Sequence, residues 1–235
     1  MNRQSGNALW FILIAIALLG LLGAMLIRTS SQTEETGDKD RLSVAVSQLV
    51  RYTSSVASAA QNMLLRGVSE SEISFANDVY QECDDDPIQA AGHNPNCTTE
   101  DCEIFGLGGG LEPREIPSDL LTDGACSVWK IGSAAVNTRT VVDVGTNKPD
   151  LVLEVYGLSE EACVMINKLA KVSMPADSPP DDEEGIGGTD IFTGDYTIST
   201  STIGDEATEL EGKKVFCLHR PSEDSYHMYT VLIAR

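Results

Sequence analysis

The chain has 235 residues, of which 36 are acidic and 16 are basic, and its formal charge is −20. This length is enough for one sizeable core or two small ones, and an apolar content of 42% excludes wholesale disorder. The charge argues against a nucleic-acid partner, because phosphate binding requires clustered Lys and Arg side chains and none cluster here.

The first predicted element is a transmembrane helix over residues 8–28. Residues 8–27 read ALWFILIAIALLGLLGAMLI without a charge, and a helix of that length spans roughly 30 Å, the hydrocarbon thickness of a bilayer. Arg3 and Arg28 flank the run, and Trp10 lies where an interfacial aromatic is expected. The alternative is a cleaved signal peptide, but its apolar region is usually about 7–15 residues long and no A-x-A sequence follows here.

The flanks of this helix predict its orientation. The leader, residues 1–7, carries Arg3 and no acid, which favours a cytoplasmic N-terminus. All six cysteines follow the helix, as suits an oxidising compartment. We therefore expect residues 29–235 to form a periplasmic or extracellular head, with the lipid bilayer as partner of residues 8–27.

Small residues inside the apolar run would allow close approach of a second membrane helix. They are Gly20, Gly23 and Ala24. The alternative is that they are the ordinary composition of a membrane helix. An oligomer formed through the N-terminal helix, from identical or different chains, is the partner this pattern favours.

Two segments follow the apolar run. Residues 29–40 are polar and are interpreted as a linker, with a solvated part of one long helix as the alternative. Residues 41–67 predict an amphipathic helix, because apolar or small residues recur at spacings of three and four. Those positions are Leu42, Val46, Leu49, Thr53, Val56, Ala60 and Met63. The helix either packs on the domain's own sheet or also contacts neighbouring subunits.

The head, residues 68–235, combines short strands with one helix. Runs rich in Val, Leu and aromatic residues predict strands at 127–131, 138–144, 151–156, 196–199, 215–219 and 226–234. Ser159 is a plausible cap for a helix over 159–171, with acidic residues in its first turn. The expected fold is therefore α+β: an N-terminal transmembrane helix extends into an amphipathic helix, which packs on a mainly antiparallel sheet with disulfides.

An even number of cysteines beyond the membrane segment predicts three disulfides. They are Cys83, Cys97, Cys102, Cys126, Cys163 and Cys217. Cys163 lies on the apolar face of the predicted helix and Cys217 in a predicted strand, so packing of the helix on the sheet could join them. The pairing of the other four stays open. Zinc or redox use is disfavoured, because there is no C-x-x-C and only one short C-x4-C spacing.

Catalytic and cofactor motifs are missing from the sequence. There is no G-x-S-x-G or H-E-x-x-H. The acidic loops at 84–86 and 181–184 do not match the calcium-binding spacing of an EF-hand, and GLGGG at 106–110 lacks the lysine of a phosphate loop. His219 and His227 lie in predicted strands, where we expect surface positions. We therefore expect neither an enzyme nor a cofactor or metal site.

The order of these segments resembles that of a type IV pilin or pseudopilin: a basic leader, Gly6, a long apolar helix, an amphipathic extension and a disulfide-bearing head. The resemblance implies that a prepilin peptidase cuts after Gly6 and leaves Asn7 as the new N-terminus. The family usually has Phe or Met at that first mature position. It usually has Glu at the fifth, where this chain has Phe11. Residues 156–163, YGLSEEAC, are similar to the disulfide-bearing helix of type IVb pilin heads.

A second resemblance covers most of the chain. SGNALWFILIAIALLGLLGA, QLVRYTSSVASA, ISFANDVY, CEIFGLGGGL and YTVLIAR look like segments of a group of uncharacterised alphaproteobacterial single-span membrane proteins. Together the resemblances imply a membrane-anchored, pilin-like structural or assembly subunit of an envelope filament or secretion machine. The alternative is a non-polymerising, membrane-tethered periplasmic binding module.

Overall fold

A computed structural model describes residues 7–76, 93–122, 130–131, 136–183, 192–196 and 202–235. Between residues 7 and 36 it describes the backbone and, of the side chains, only those of Ile14 and Ile16. The chain divides into two compact units, Met1–Leu42 and Ser43–Arg235.

Helix α1 runs without interruption over Asn7–Leu65. It continues through residues 29–40, so this polar segment is part of one long helix rather than a separate linker. Among the residues that the structure describes, no helix has a stretch long and apolar enough to cross a membrane. The predicted span at 8–28 falls almost wholly on side chains outside that description, so it stays a prediction.

The second half of α1 has the predicted buried face. Val46, Leu49, Val56, Ala60 and Met63 are buried, each at most 2% exposed. Their spacings of three, four and seven residues place them on one side of the helix. Thr53 and Tyr52 are buried beside them. This face is the contribution of α1 to the core of the unit Ser43–Arg235.

Gly67 ends α1. Its φ of 94° is a left-handed conformation, which glycine adopts without a steric penalty. The amide of Gly67 donates to the carbonyl of Leu64, and the amide of Val68 donates to that of Met63. These two bonds satisfy carbonyls that the end of the helix would otherwise leave unpaired.

The head contains a five-stranded sheet in the order β5–β3–β4–β7–β6. Its strands are β3 (Val136–Val141), β4 (Asp150–Leu158), β5 (Thr202–Ile203), β6 (Val215–Arg220) and β7 (Ser225–Ile233). All neighbours are antiparallel except β3 and β5, which are parallel. A separate two-stranded ribbon pairs β1 (Arg114–Glu115) with β2 (Lys130–Ile131). The predicted α+β class with a mainly antiparallel sheet is confirmed.

Alternating side chains along the strands form an apolar face of the sheet. Phe216 and Leu218 on β6 lie on one face with Tyr229 and Val231 on β7, because residues two apart in a strand point the same way. The rings of Phe216 and Tyr229 stack with centroids 5.5 Å apart. The predicted strands at 127–131 and 196–199 lie mainly outside the described residues.

Helix α2 (Glu160–Ala170) lies close to β6 and β7. Its N-cap is Ser159, whose hydroxyl accepts a bond of 3.2 Å from the amide of Ala162, as the sequence predicts. Lys171 closes the helix with a φ of 56°. The buried residues of α2 face the sheet, which brings Cys163 and Asn167 to β6.

Two disulfides are present among the described residues. Cys163 and Cys217 are bonded, with Cα atoms 5.3 Å apart, as their predicted helix and strand positions suggested. Cys97 and Cys102, which are five positions apart, form the second bond and close a short turn. Cys83 and Cys126 lie outside the described residues.

Candidate functional site

An open cleft of about 740 Å³ lies beside the second half of α1. One wall consists of the helix residues Gln48, Arg51, Tyr52 and Ser55, whose spacing of three and four residues places them along one side. The other wall is the segment 110–114, which leads into β1. The cleft therefore lies entirely within the unit Ser43–Arg235.

Tyr52 joins the two walls of this cleft. Its hydroxyl donates a 2.8 Å hydrogen bond to the backbone carbonyl of Glu112. Burial raises the pKa of Tyr52 to about 12, although the backbone amide and the charge of Arg114 act in the opposite direction. The phenol therefore stays protonated at neutral pH and can keep donating to Glu112. This bond fixes the distance between helix and loop.

Two exposed arginines supply the positive charge of the cleft. Arg51 belongs to the helix wall of the cleft. The guanidinium of Arg114 lies 5.5 Å from the centre of the Tyr52 ring, which is a cation–π contact. Within the described chain, neither guanidinium forms a hydrogen bond or an ion pair. By contrast, buried or half-buried arginines elsewhere are engaged: Arg220 pairs with Glu223 and Arg235 pairs with Glu70.

The cleft can bind a carboxylate. Two guanidinium groups present planar forks of donors that match carboxylate oxygens. Gln48 and Ser55 add amide and hydroxyl groups, while Glu112 contributes an opposing charge at the rim. The local balance is positive in a chain whose overall charge is −20.

A second polar constellation lies on the sheet between β4 and β7. Nδ1 of His227 is 2.8 Å from Oε1 of Glu154, and the Tyr229 hydroxyl donates to the same oxygen at 2.9 Å. The hydroxyl of Ser225 lies 2.7 Å from Nε2 of His227. Tyr156 stacks on the imidazole, with centroids 5.9 Å apart. His227 and Glu154 are buried, so the expected surface position of His227 is wrong.

The order serine, histidine, carboxylate occurs in hydrolytic triads, but such sites also need a substrate pocket and donors for the oxyanion. A structural role accounts for the contacts of this network. Glu154 belongs to β4, whereas Ser225, His227 and Tyr229 belong to β7, so the bonds fasten two neighbouring strands. Burial, with the carboxylate of Glu154 beside it, raises the pKa of Tyr229 well above its ordinary value, which keeps this donor protonated.

His219 forms a third, more exposed cluster. Its Nδ1 lies 2.9 Å from Asp181 and its Nε2 lies 3.4 Å from Asp224. The ring of Tyr226 lies 4.8 Å away. Within the described ranges of the chain, no group of three or more His, Cys, Asp or Glu side chains is arranged to hold a metal ion.

The sequence-predicted site residues fall in two sets. The processing residue Gly6 lies outside the described residues. For Asn7 and the packing residues Gly20, Gly23 and Ala24 the structure describes only the helical backbone, so the processing site and the packing face stay predictions. The cysteines are placed as reported above.

No family model, curated protein or solved structure matches this chain.

Sequence reasoning missed the arginine cleft. Arg51 and Arg114 are 63 positions apart, and no motif connects them. The available signal was weak: arginines are scarce in this chain, and Arg51 lies two residues after the predicted seam position Leu49. Only the fold shows that the loop 110–114 passes the helix there.

Proposed function

We propose that this chain is a membrane-anchored, pilin-like structural or assembly subunit of a bacterial envelope filament or secretion machine. The observation that carries the proposal is the single helix α1, Asn7–Leu65. One helical element contains both the apolar run of residues 8–27 and the buried seam of the head. This is the arrangement that the resemblance to pilins implies.

The physical role would be that of an anchor joined to a scaffold. The run 8–27 would insert into the inner membrane with residues 1–7 in the cytoplasm. The side of the helix that carries Gly20, Gly23 and Ala24 would pack against neighbouring membrane helices. The head would lie in the periplasm or outside the cell, where the Cys97–Cys102 and Cys163–Cys217 disulfides persist.

The arginine cleft supports the alternative, a non-polymerising tethered module that binds a ligand through its head. A module of this kind would need neither processing of the leader nor lateral contacts between membrane helices. The two proposals therefore differ at the N-terminus of the mature protein.

The N-terminus of protein extracted from native membranes tests the pilin-like proposal. Cleavage after Gly6 gives a mature chain that begins at Asn7, and a Gly6→Leu variant should keep the full leader. Ser5→Ala is the matched control and should be processed normally. A wild-type chain that begins at Met1 or Asn2 would contradict prepilin-type processing and favour the tethered module.

A further inference from the structure

We propose that the arginine cleft receives an acidic turn from a second copy of this chain. The cleft is the one lined by Arg51 and Arg114, and the acidic turn is the segment 97–103. This inference rests on the proposed assembly function, because it names the partner of the head within an assembly. The contact joins two different surfaces and is therefore heterologous.

The acidic turn presents three carboxylates on a short rigid segment. Glu100, Asp101 and Glu103 are all exposed. The disulfide between Cys97 and Cys102 encloses Glu100 and Asp101, and Glu103 follows it directly. A turn held in one conformation loses little conformational entropy when it binds.

The glycine-rich segment 106–110 packs against this turn and supports it. The amide of Gly108 donates to the carbonyl of Glu100 at 3.0 Å, and that of Gly109 donates to Glu103 at 2.9 Å. A Cβ atom on Gly108 would collide with the backbone carbonyl of Asp101. The GLGGG sequence therefore allows close backbone packing that supports the acidic turn.

The acidic turn and the arginine cleft lie beside different parts of helix α1. Arg66 donates to the carbonyl of Gly108, which places the braced turn near the end of α1. Arg51 precedes Arg66 by fifteen residues, which corresponds to roughly 22 Å along a helix. In each copy the acidic turn is thus displaced along α1 from the cleft of the same copy. A neighbouring copy that is shifted by about this distance along α1 would bring its acidic turn to the cleft of the first copy.

Opposite charge favours contact between the cleft and the acidic turn. Two copies that each carry −20 repel one another, so packing requires specific positions where opposite charges meet. Arg51 and Arg114 form no ion pair within the described chain, and the turn offers the carboxylates. Because the joined surfaces differ, the contact can repeat from copy to copy and build an open array.

Zero-length cross-linking of the full-length protein in membranes tests this contact. An Arg51→Lys variant keeps the charge and supplies an amine, and a carbodiimide couples that amine only to a carboxylate in direct contact. Chains with and without nitrogen-15 are mixed, so that peptides joined between copies are distinguished by mass. The matched control is Ser54→Lys, an exposed position on the same helix outside the cleft.

The expected result is an amide between position 51 and Glu100, Asp101 or Glu103 of the other isotopic copy. It should disappear when these three residues are changed to Gln, Asn and Gln. Arg51→Glu should also reduce the size of detergent-extracted assemblies.

Three results would overturn the inference: no intermolecular amide at position 51, a distribution of amides equal to that of Ser54→Lys, or coupling only to Glu112 of the same chain. A small carboxylate compound captured on the lysine would identify the cleft as a ligand site instead. The mature N-terminus is unaffected in every case, so failure here is separable from failure of the proposed function.

Discussion

Replacing Asn167 by Ala should destabilise the head by about 3 kcal/mol. The side-chain amide of Asn167 donates to the carbonyl of Cys217 at 2.8 Å and accepts from the amide of Cys217 at the same distance. Both residues are fully buried. The substitution would therefore leave one backbone donor and one backbone acceptor without their partner.

The magnitude follows from those two groups. A buried polar group that loses its partner costs about 1–3 kcal/mol, so the pair predicts roughly 2–6 kcal/mol. The lower half of that range applies, because the removed amide leaves space that a water molecule can enter. For a unit of this size, about 3 kcal/mol lowers the melting temperature by roughly 6–12 °C.

Thermal unfolding followed by circular dichroism on oxidised full-length protein measures this effect. Lys168→Ala, at the adjacent exposed position of α2, is the matched control and should change the free energy of unfolding by less than about 0.5 kcal/mol. Mass spectrometry verifies that the Cys163–Cys217 bond is intact in each protein. A melting temperature for Asn167→Ala within 2 °C of the wild type would refute the reasoning.

Two further predictions concern the disulfides and alkaline pH. Replacing Cys163 and Cys217 by Ala should lower the free energy of unfolding by roughly 4 kcal/mol, because their bond spans 54 positions. Replacing Cys97 and Cys102, which are five positions apart, should lower it by roughly 2 kcal/mol. Equal losses in melting temperature would contradict the loop-entropy argument. The pKa of Tyr52 is raised from 10 to about 12 in the folded protein, which corresponds to about 2–3 kcal/mol of stability. Because the phenol ionises in the unfolded chain first, this stability is fully present below pH 10 and is lost as the pH rises from 10 to 12. Tyr52→Phe should therefore flatten the fall in melting temperature over that window, and an unchanged pH profile would show that Tyr52 does not carry it.

Elements set by neighbouring residues could be predicted from the sequence. Helix α2 has its cap at Ser159 and acidic residues in its first turn, and the structure begins the helix at Glu160. Strands β4 and β7 lie within two residues of their predicted bounds, because runs of branched and aromatic residues are typical of strands. The seam of α1 is buried as its spacing predicted.

Features that join distant residues could not be predicted in the same way. His227 alternates with Ser225 along β7, a pattern that indicates a solvent-facing side chain as readily as a buried one. Its burial depends on Glu154, 73 residues earlier. The parallel pairing of β5 with β3 and the arginine cleft likewise depend on the register of segments that no local pattern connects.

The outer strand β6 has consequences for how copies of this protein can associate. The backbone groups of Cys217 that point away from β7 are paired with Asn167. Those of His219 are paired with the carbonyl of Pro180 and the amide of Asp182. A β-strand from another chain would find these donors and acceptors already occupied, so strand addition at this edge of the sheet is blocked. Association on this side of the head must therefore depend on side-chain surfaces rather than on a sheet continued from one molecule to the next.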